Sequence, residues 1–118
     1  NYAYSTLRGG NQCGNSLNQL DIIDISEITN PTLVKSYQLA GPKGLAINGN
    51  CLYVCDNGVK VLDVSDHNNI RMINHINNIP ANDVIFFNNQ LLVTADDGFY
   101  QFNVANCGDI TELGHFSY

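Results

Sequence analysis

Leu20-Asp21-Ile22-Ile23-Asp24-Ile25-Ser26 returns 39 residues later as Val59-Lys60-Val61-Leu62-Asp63-Val64-Ser65. A weaker copy, Tyr100-Gln101-Phe102-Asn103-Val104-Ala105, follows at a further offset of 40. Two more blocks keep the same spacing. Leu52-Tyr53-Val54-Cys55-Asp56-Asn57-Gly58 matches Leu91-Leu92-Val93-Thr94-Ala95-Asp96-Asp97-Gly98 with one inserted residue, and Leu45–Asn50 matches Val84–Asn89. Three independent blocks at one spacing define an internal repeat of about 40 residues.

Each period holds short runs rich in β-branched and aromatic residues, separated by turn residues. They read as strands a to d. Strand a is Gly44–Ile47 and Val84–Phe87, and strand b is Leu52–Cys55 and Leu91–Ala95. Strand c is Gln19–Ile25, Val59–Val64 and Phe99–Val104, and strand d is Thr32–Leu39, Ile70–Ile76 and Ile110–Phe116. Tyr2–Arg8 reads as a further strand b, making eleven strands in the order b-c-d, a-b-c-d, a-b-c-d. Eighteen asparagines supply turns and disfavour helix. Four antiparallel strands per period is the pattern of a β-propeller blade. The expected fold is therefore all-β, with propeller-type four-stranded antiparallel blades and little or no helix. A β-sandwich is the alternative, but it does not require strands to repeat in groups of four.

The expected organisation is one partial propeller of about 2.75 blades over residues 1–118, with blades at about 1–40, 41–79 and 80–118. Closed propellers have roughly four to eight blades. The chain is thus expected to be a piece of a longer propeller, or a subunit that closes by oligomerising.

Composition narrows the function. Five Lys and Arg stand against eleven Asp and Glu, for a net charge of −6. A nucleic-acid partner is not expected, because phosphate contacts need a basic face. No apolar run approaches the ~18 residues of a membrane span. No signal-peptide pattern opens the chain, which lacks an initiator Met. The natural N-terminus is expected to lie upstream.

The strand-c blocks Leu20–Ser26 and Val59–Ser65, with Asn30-Pro31-Thr32-Leu33-Val34 after the first, resemble LVIVD repeats. Such repeats occur in bacterial surface proteins and are taken to form β-propellers. Ala3–Gly10, with Cys13-Gly14 following, is similar to a segment of such proteins from the Bacteroidetes group. The third copy departs from the motif, with Asn103 for Asp and Ala105 for Ser. The resemblance implies an extracellular or cell-surface protein, secreted or lipid-anchored through a region outside this chain. It implies no catalytic residues.

In a propeller the b–c and d–a loops emerge on one face. That face would carry Arg8, Lys43, Asp56, Asn82, Asp83, Asp96 and Asp97, which are the candidate residues for contact with a protein or glycan partner. The turns Asp56-Asn57 and Asp96-Asp97 read more simply as solvated turns. Calcium needs six or more oxygens, and no compact calcium motif is present, so no metal or cofactor is expected. Asp24, Asp63 and Asn103 recur at one position and read as caps of the c–d turn. His67, His75 and His115 lack zinc-ligand spacing.

Of the four cysteines, Cys51 and Cys55 lie ~13 Å apart along one strand, too far to bridge. Cys13 and Cys55 would share a face, so a Cys13–Cys55 bridge and four free thiols both stand as readings. No Gly-x-Ser-x-Gly elbow or phosphate loop is present. The expected function is a non-catalytic binding or scaffold module. Two alternatives stand beside it. One is a carbohydrate-active hydrolase or lyase using channel-facing carboxylates, which would need them ~5–10 Å apart. The other is a structural subunit that self-associates through open blade edges.

Overall fold

A computed structural model describes residues 1–10 and 17–118. Among the described residues there are eleven strands and no helix. They are β1 Tyr2–Leu7, β2 Gln19–Asp24, β3 Thr32–Gln38, β4 Leu45–Asn48, β5 Cys51–Cys55, β6 Val59–Asp63, β7 Arg71–Ile76, β8 Ala81–Phe87, β9 Gln90–Ala95, β10 Gly98–Asn106 and β11 Asp109–Ser117. The eleven expected strands are all found, with ends shifted by a few residues.

The strands form three separate antiparallel sheets, and none closes into a barrel. The first is β1-β2-β3, the second β4-β5-β6-β7 and the third β8-β9-β10-β11, each a simple meander. Turn chemistry explains the short connections. Asn88 and Asn89 both take positive φ, 54° and 59°, between β8 and β9. Two consecutive left-handed residues make the hairpin turn whose twist suits flanking strands, and Asn tolerates that conformation best after Gly. Asp24 and Asp63 cap the turns after strand c: each accepts the backbone N–H two residues on, from Ser26 at 2.8 Å and Ser65 at 2.9 Å.

Side-chain alternation on β5 shows how the sheets are layered. Tyr53 and Cys55 enter one apolar cluster with Val59, Val61, Val84, Leu91, Val93 and Phe102. Leu52 and Val54 enter another with Leu20, Leu62 and Val64. Successive residues of a strand point to opposite faces, so the second sheet is covered on both sides. The first sheet lies on one face and the third on the other. Burying each such Leu or Val contributes roughly 1.5–3 kcal/mol, far more than an exposed ion pair. Apolar layering is therefore the main adhesive between sheets.

Polar ties sit at the two ends of the stack. At one end Cys51 and Cys107 form a disulfide with Cα atoms 5.6 Å apart, joining the second sheet to the third. Asn74 donates to the carbonyl of Gly108 nearby, at 3.0 Å. At that same end of the second sheet, Tyr37 donates its hydroxyl to the His67 carbonyl, and the Tyr4 hydroxyl bonds the His67 ring at 2.9 Å. The sequence reading did not find the Cys51–Cys107 bridge. Cys55 is buried and carries a free thiol. Cys13, its suggested partner, lies outside the described residues.

Candidate functional site

The opposite end of the stack gathers the b–c turns and the loops between sheets. Asp56, expected in a solvated turn, is only 1% exposed. Its carboxylate accepts the N–H groups of Ala40 at 3.1 Å and Gly41 at 2.7 Å, and pairs with Lys60 at 2.8 Å. Burial pushes its pKa up, but the Lys60 hydrogen bond and the two N–H donors outweigh it, and the carboxyl titrates below its ordinary value. Asp56 thus holds the loop leaving the first sheet against the second. The solvated reading failed because that loop folds back over the turn.

Lys43 follows directly. Its backbone N–H donates to the Cys55 carbonyl at 2.8 Å, and its own carbonyl accepts the Thr6 hydroxyl at 2.8 Å. Its ammonium donates to Asn82 Oδ1 at 2.6 Å, and Asn82 Nδ2 donates to Asp96 Oδ1 at 2.7 Å. Three of the seven candidate residues, Lys43, Asn82 and Asp96, therefore form one polar chain across the second and third sheets.

The remaining carboxylates are apart from it in their bonding. Asp83 is exposed and accepts the N–H of Val84 at 2.9 Å, and Asp97 is exposed and accepts the Tyr100 hydroxyl at 3.1 Å. Asp83, Asp96 and Asp97 each bind a different group, and all three are exposed.

A cavity of about 350 Å³ opens beside Lys43. It is lined by Arg8, Lys43, Asn57, Cys55 and the backbone of Gly41 and Gly58, with Ala40, Pro80 and Ala81 completing the wall. The Cys55 thiol is pushed up to about 12 by burial and by the Asp83 charge, with Lys43 acting the other way. It therefore stays protonated at neutral pH and is a poor nucleophile. Sequence reasoning named Arg8 and Lys43 and placed the Asp56-Asn57 turn on the same face, but missed Gly41 and Gly58. The repeat held the signal, because all of these lie in b–c or d–a connections. Among the described residues, no group of three or more His, Cys, Asp or Glu is placed to hold a metal.

Sheets that recur at a fixed spacing and bury one another's faces define an all-β repeat protein. The family model for the LVIVD repeat matches residues 14–39 and 42–77. Together these spans cover just over half of the chain, which belongs to the LVIVD-repeat family. The third unit, with Asn103 and Ala105 at the motif positions, lies outside the matched residues. Comparison with curated proteins found no match, and comparison with solved structures found none.

Proposed function

We propose that this chain is a non-catalytic binding module built of propeller-type blades and exposed at a bacterial cell surface. The observation that carries the reading is the cavity lined by Arg8 and Lys43. It sits where connections from all three sheets meet, on a frame held by apolar layering and by Asp56. Loops on a rigid scaffold are the usual place for recognition. The propeller-type description is supported by the LVIVD match and by four-strand meanders layered face to face. A location outside the cytoplasm is supported by the Cys51–Cys107 disulfide. The test is an NMR-detected screen of small polar compounds and glycan fragments. Hits are expected to shift the amides of Ala40–Lys43 and Asn57-Gly58. Hits that map only elsewhere, or none at all, would overturn the reading.

A second reading, self-association, is favoured by the outer face of the third sheet. Ile85, Phe87 and Phe116 are 55%, 67% and 68% exposed there. Leu92 and Phe99 on that face occupy the repeat positions of Tyr53 and Val59, which are fully buried on the second sheet. Such a face invites another sheet. Sedimentation over a concentration series tests this: a mass that rises with concentration and falls in Ile85→Lys supports it, and a strict monomer rejects it.

A further inference from the structure

We infer that the open edge of β1 is a strand-addition site for an extended segment of a partner polypeptide with small residues at alternate positions. The inference goes beyond the binding-module reading and uses neither the cavity nor the outer face of the third sheet.

Backbone pairing is the first argument. The second and third sheets have four strands and the first has three, and among the described residues β1 pairs with β2 alone. Ile25 donates its N–H to the Asn1 carbonyl at 3.0 Å, next to the register pair Tyr2–Asp24. Bonded and non-bonded pairs alternate in an antiparallel ladder. Ala3, Ser5 and Leu7 therefore bond β2, and Tyr2, Tyr4 and Thr6 turn their N–H and C=O groups to the open edge. The repeat shows what such an edge takes. Leu20 and Ile22, opposite Thr6 and Tyr4, hold the repeat positions of Val59 and Val61, opposite Cys55 and Tyr53. Thr6 and Tyr4 thus correspond to Cys55 and Tyr53, and those two pair with β4. Cys55 donates its N–H to the Gly44 carbonyl at 2.9 Å, and Tyr53 stands opposite Ala46. A row of unpaired backbone groups on an edge is a template for another extended chain.

Side-chain exposure is the second, independent argument. Leu45 on β4 turns toward the first sheet and packs on the cluster that holds Leu20. Ile47, two residues on, shares that face and is 43% exposed. Val84 and Phe86 hold the same repeat positions on β8. Val84 is 1% exposed, and Phe86 packs on the cluster between the second and third sheets. The difference is a neighbouring strand. β8 has β4 beside it, whereas the first sheet begins at β1 and supplies no counterpart of β4. A segment added to the β1 edge would be that counterpart and would cover Ile47.

The same comparison sets the chemistry of the segment. β4 presents Gly44 and Ala46 toward the third sheet, and a Cβ on Gly44 would run into Asp83. The incoming segment therefore needs small residues at the matching alternate positions, since bulk there would collide with Leu45 and Ile47.

The probe is a capped peptide of residues 42–50 of this chain, which carries the β4 pattern. It is titrated into the protein and followed by NMR and amide hydrogen exchange. Binding is expected with a Kd below about 1 millimolar. The Tyr4 and Thr6 amides are expected to become protected, while those of Ala3 and Ser5, already bonded to β2, change little. N-methylation of the peptide at its Ala46 removes an edge bond and is expected to weaken binding by about tenfold. Ile47→Lys in the protein is expected to weaken it by a similar factor, with circular dichroism checking the fold. A second variant carries residues 43–49 directly before Asn1, so that its own segment occupies the edge, and is expected to lose peptide binding. No binding, shifts that map away from β1 and β4, or full binding to that second variant overturns the inference and leaves the binding-module reading to its own screen. Protection of Tyr4 and Thr6 in the free protein that rises with its concentration makes the occupant a second copy and overturns the choice of a peptide partner.

Discussion

Gly41 donates its backbone N–H to Asp56 Oδ1 at 2.7 Å, so a carboxylate on the second sheet fixes the loop that leaves the first. Removing it strands two N–H donors and the half-buried Lys60 ammonium. Asp56→Ala is expected to cost about 3 kcal/mol, the scale of breaking a buried charge pair by removing one partner. Urea unfolding of the two proteins measures it, and a change near zero would show that water replaces the carboxylate.

The same carboxyl gives a pH dependence with a definite sign. Its folded pKa lies below the ordinary 3.8, so its contribution is complete above the unfolded value. It is lost as pH falls through the folded one. Asp63, drawn down to about 2 by the Ser65 and Arg71 hydrogen bonds, acts in the same direction. The melting temperature is expected to vary little through these groups from neutral pH to about 5 and to fall below about 4. Asp56→Asn should flatten that fall without abolishing it, as melting curves at a series of pH values would reveal.

Cys51 and Cys107 close a loop across a sequence separation of 56. Chain-entropy arguments put such a closure at up to about 4 kcal/mol. The Cys51→Ser, Cys107→Ser double variant is expected to unfold at lower urea than the oxidised protein, by about 2–4 kcal/mol. Cys55 supplies an internal check. It should resist iodoacetamide in the native protein and react once the chain is unfolded without reductant, as peptide mapping would show.

Gly58 has φ of +100° and closes the turn before β6. A Cβ there would run into the Ile76 carbonyl oxygen on β7, and Gly98 stands in the same relation to Phe116. Gly58→Ala is expected to destabilise by about 2 kcal/mol or more, through strain and a displaced outer strand. Thermal melts would record the loss.

Tyr53 is fully buried, and its hydroxyl has no hydrogen-bond partner. Its ring stacks on Phe86 with centroids 5.9 Å apart. Tyr53→Phe keeps the stack and removes an unsatisfied polar atom, so stability should be unchanged or rise by about 1 kcal/mol. A clear loss in urea unfolding would mean that the hydroxyl has a partner after all.

Local signals made most of the fold legible. Alternation in Leu52–Cys55 and Leu91–Ala95, with Asn-rich turns between the runs, marks each strand because strand period and turn conformation depend on adjacent residues. The repeat then ordered the strands into meanders. The candidate site was legible in part. Arg8, Lys43, Asn82 and Asp96 do lie at one end, because connections of the same kind emerge on the same side of each sheet.

Other features needed contacts between residues far apart in the chain. Asp56 reads as an ordinary turn residue until the loop at Ala40-Gly41 covers it. Cys51 opens β5 and Cys107 lies in the turn between β10 and β11 of the neighbouring sheet, and only the layering brings them within bonding distance. The sequence alone determined the eleven strands, their grouping and the tight turns, since these follow from periodicity and backbone preference over a few residues. Tertiary structure decided which faces are covered, which cysteines pair and that two cations share one cavity. Those outcomes depend on how whole sheets settle against each other through apolar side chains, and no short stretch of sequence carries that information.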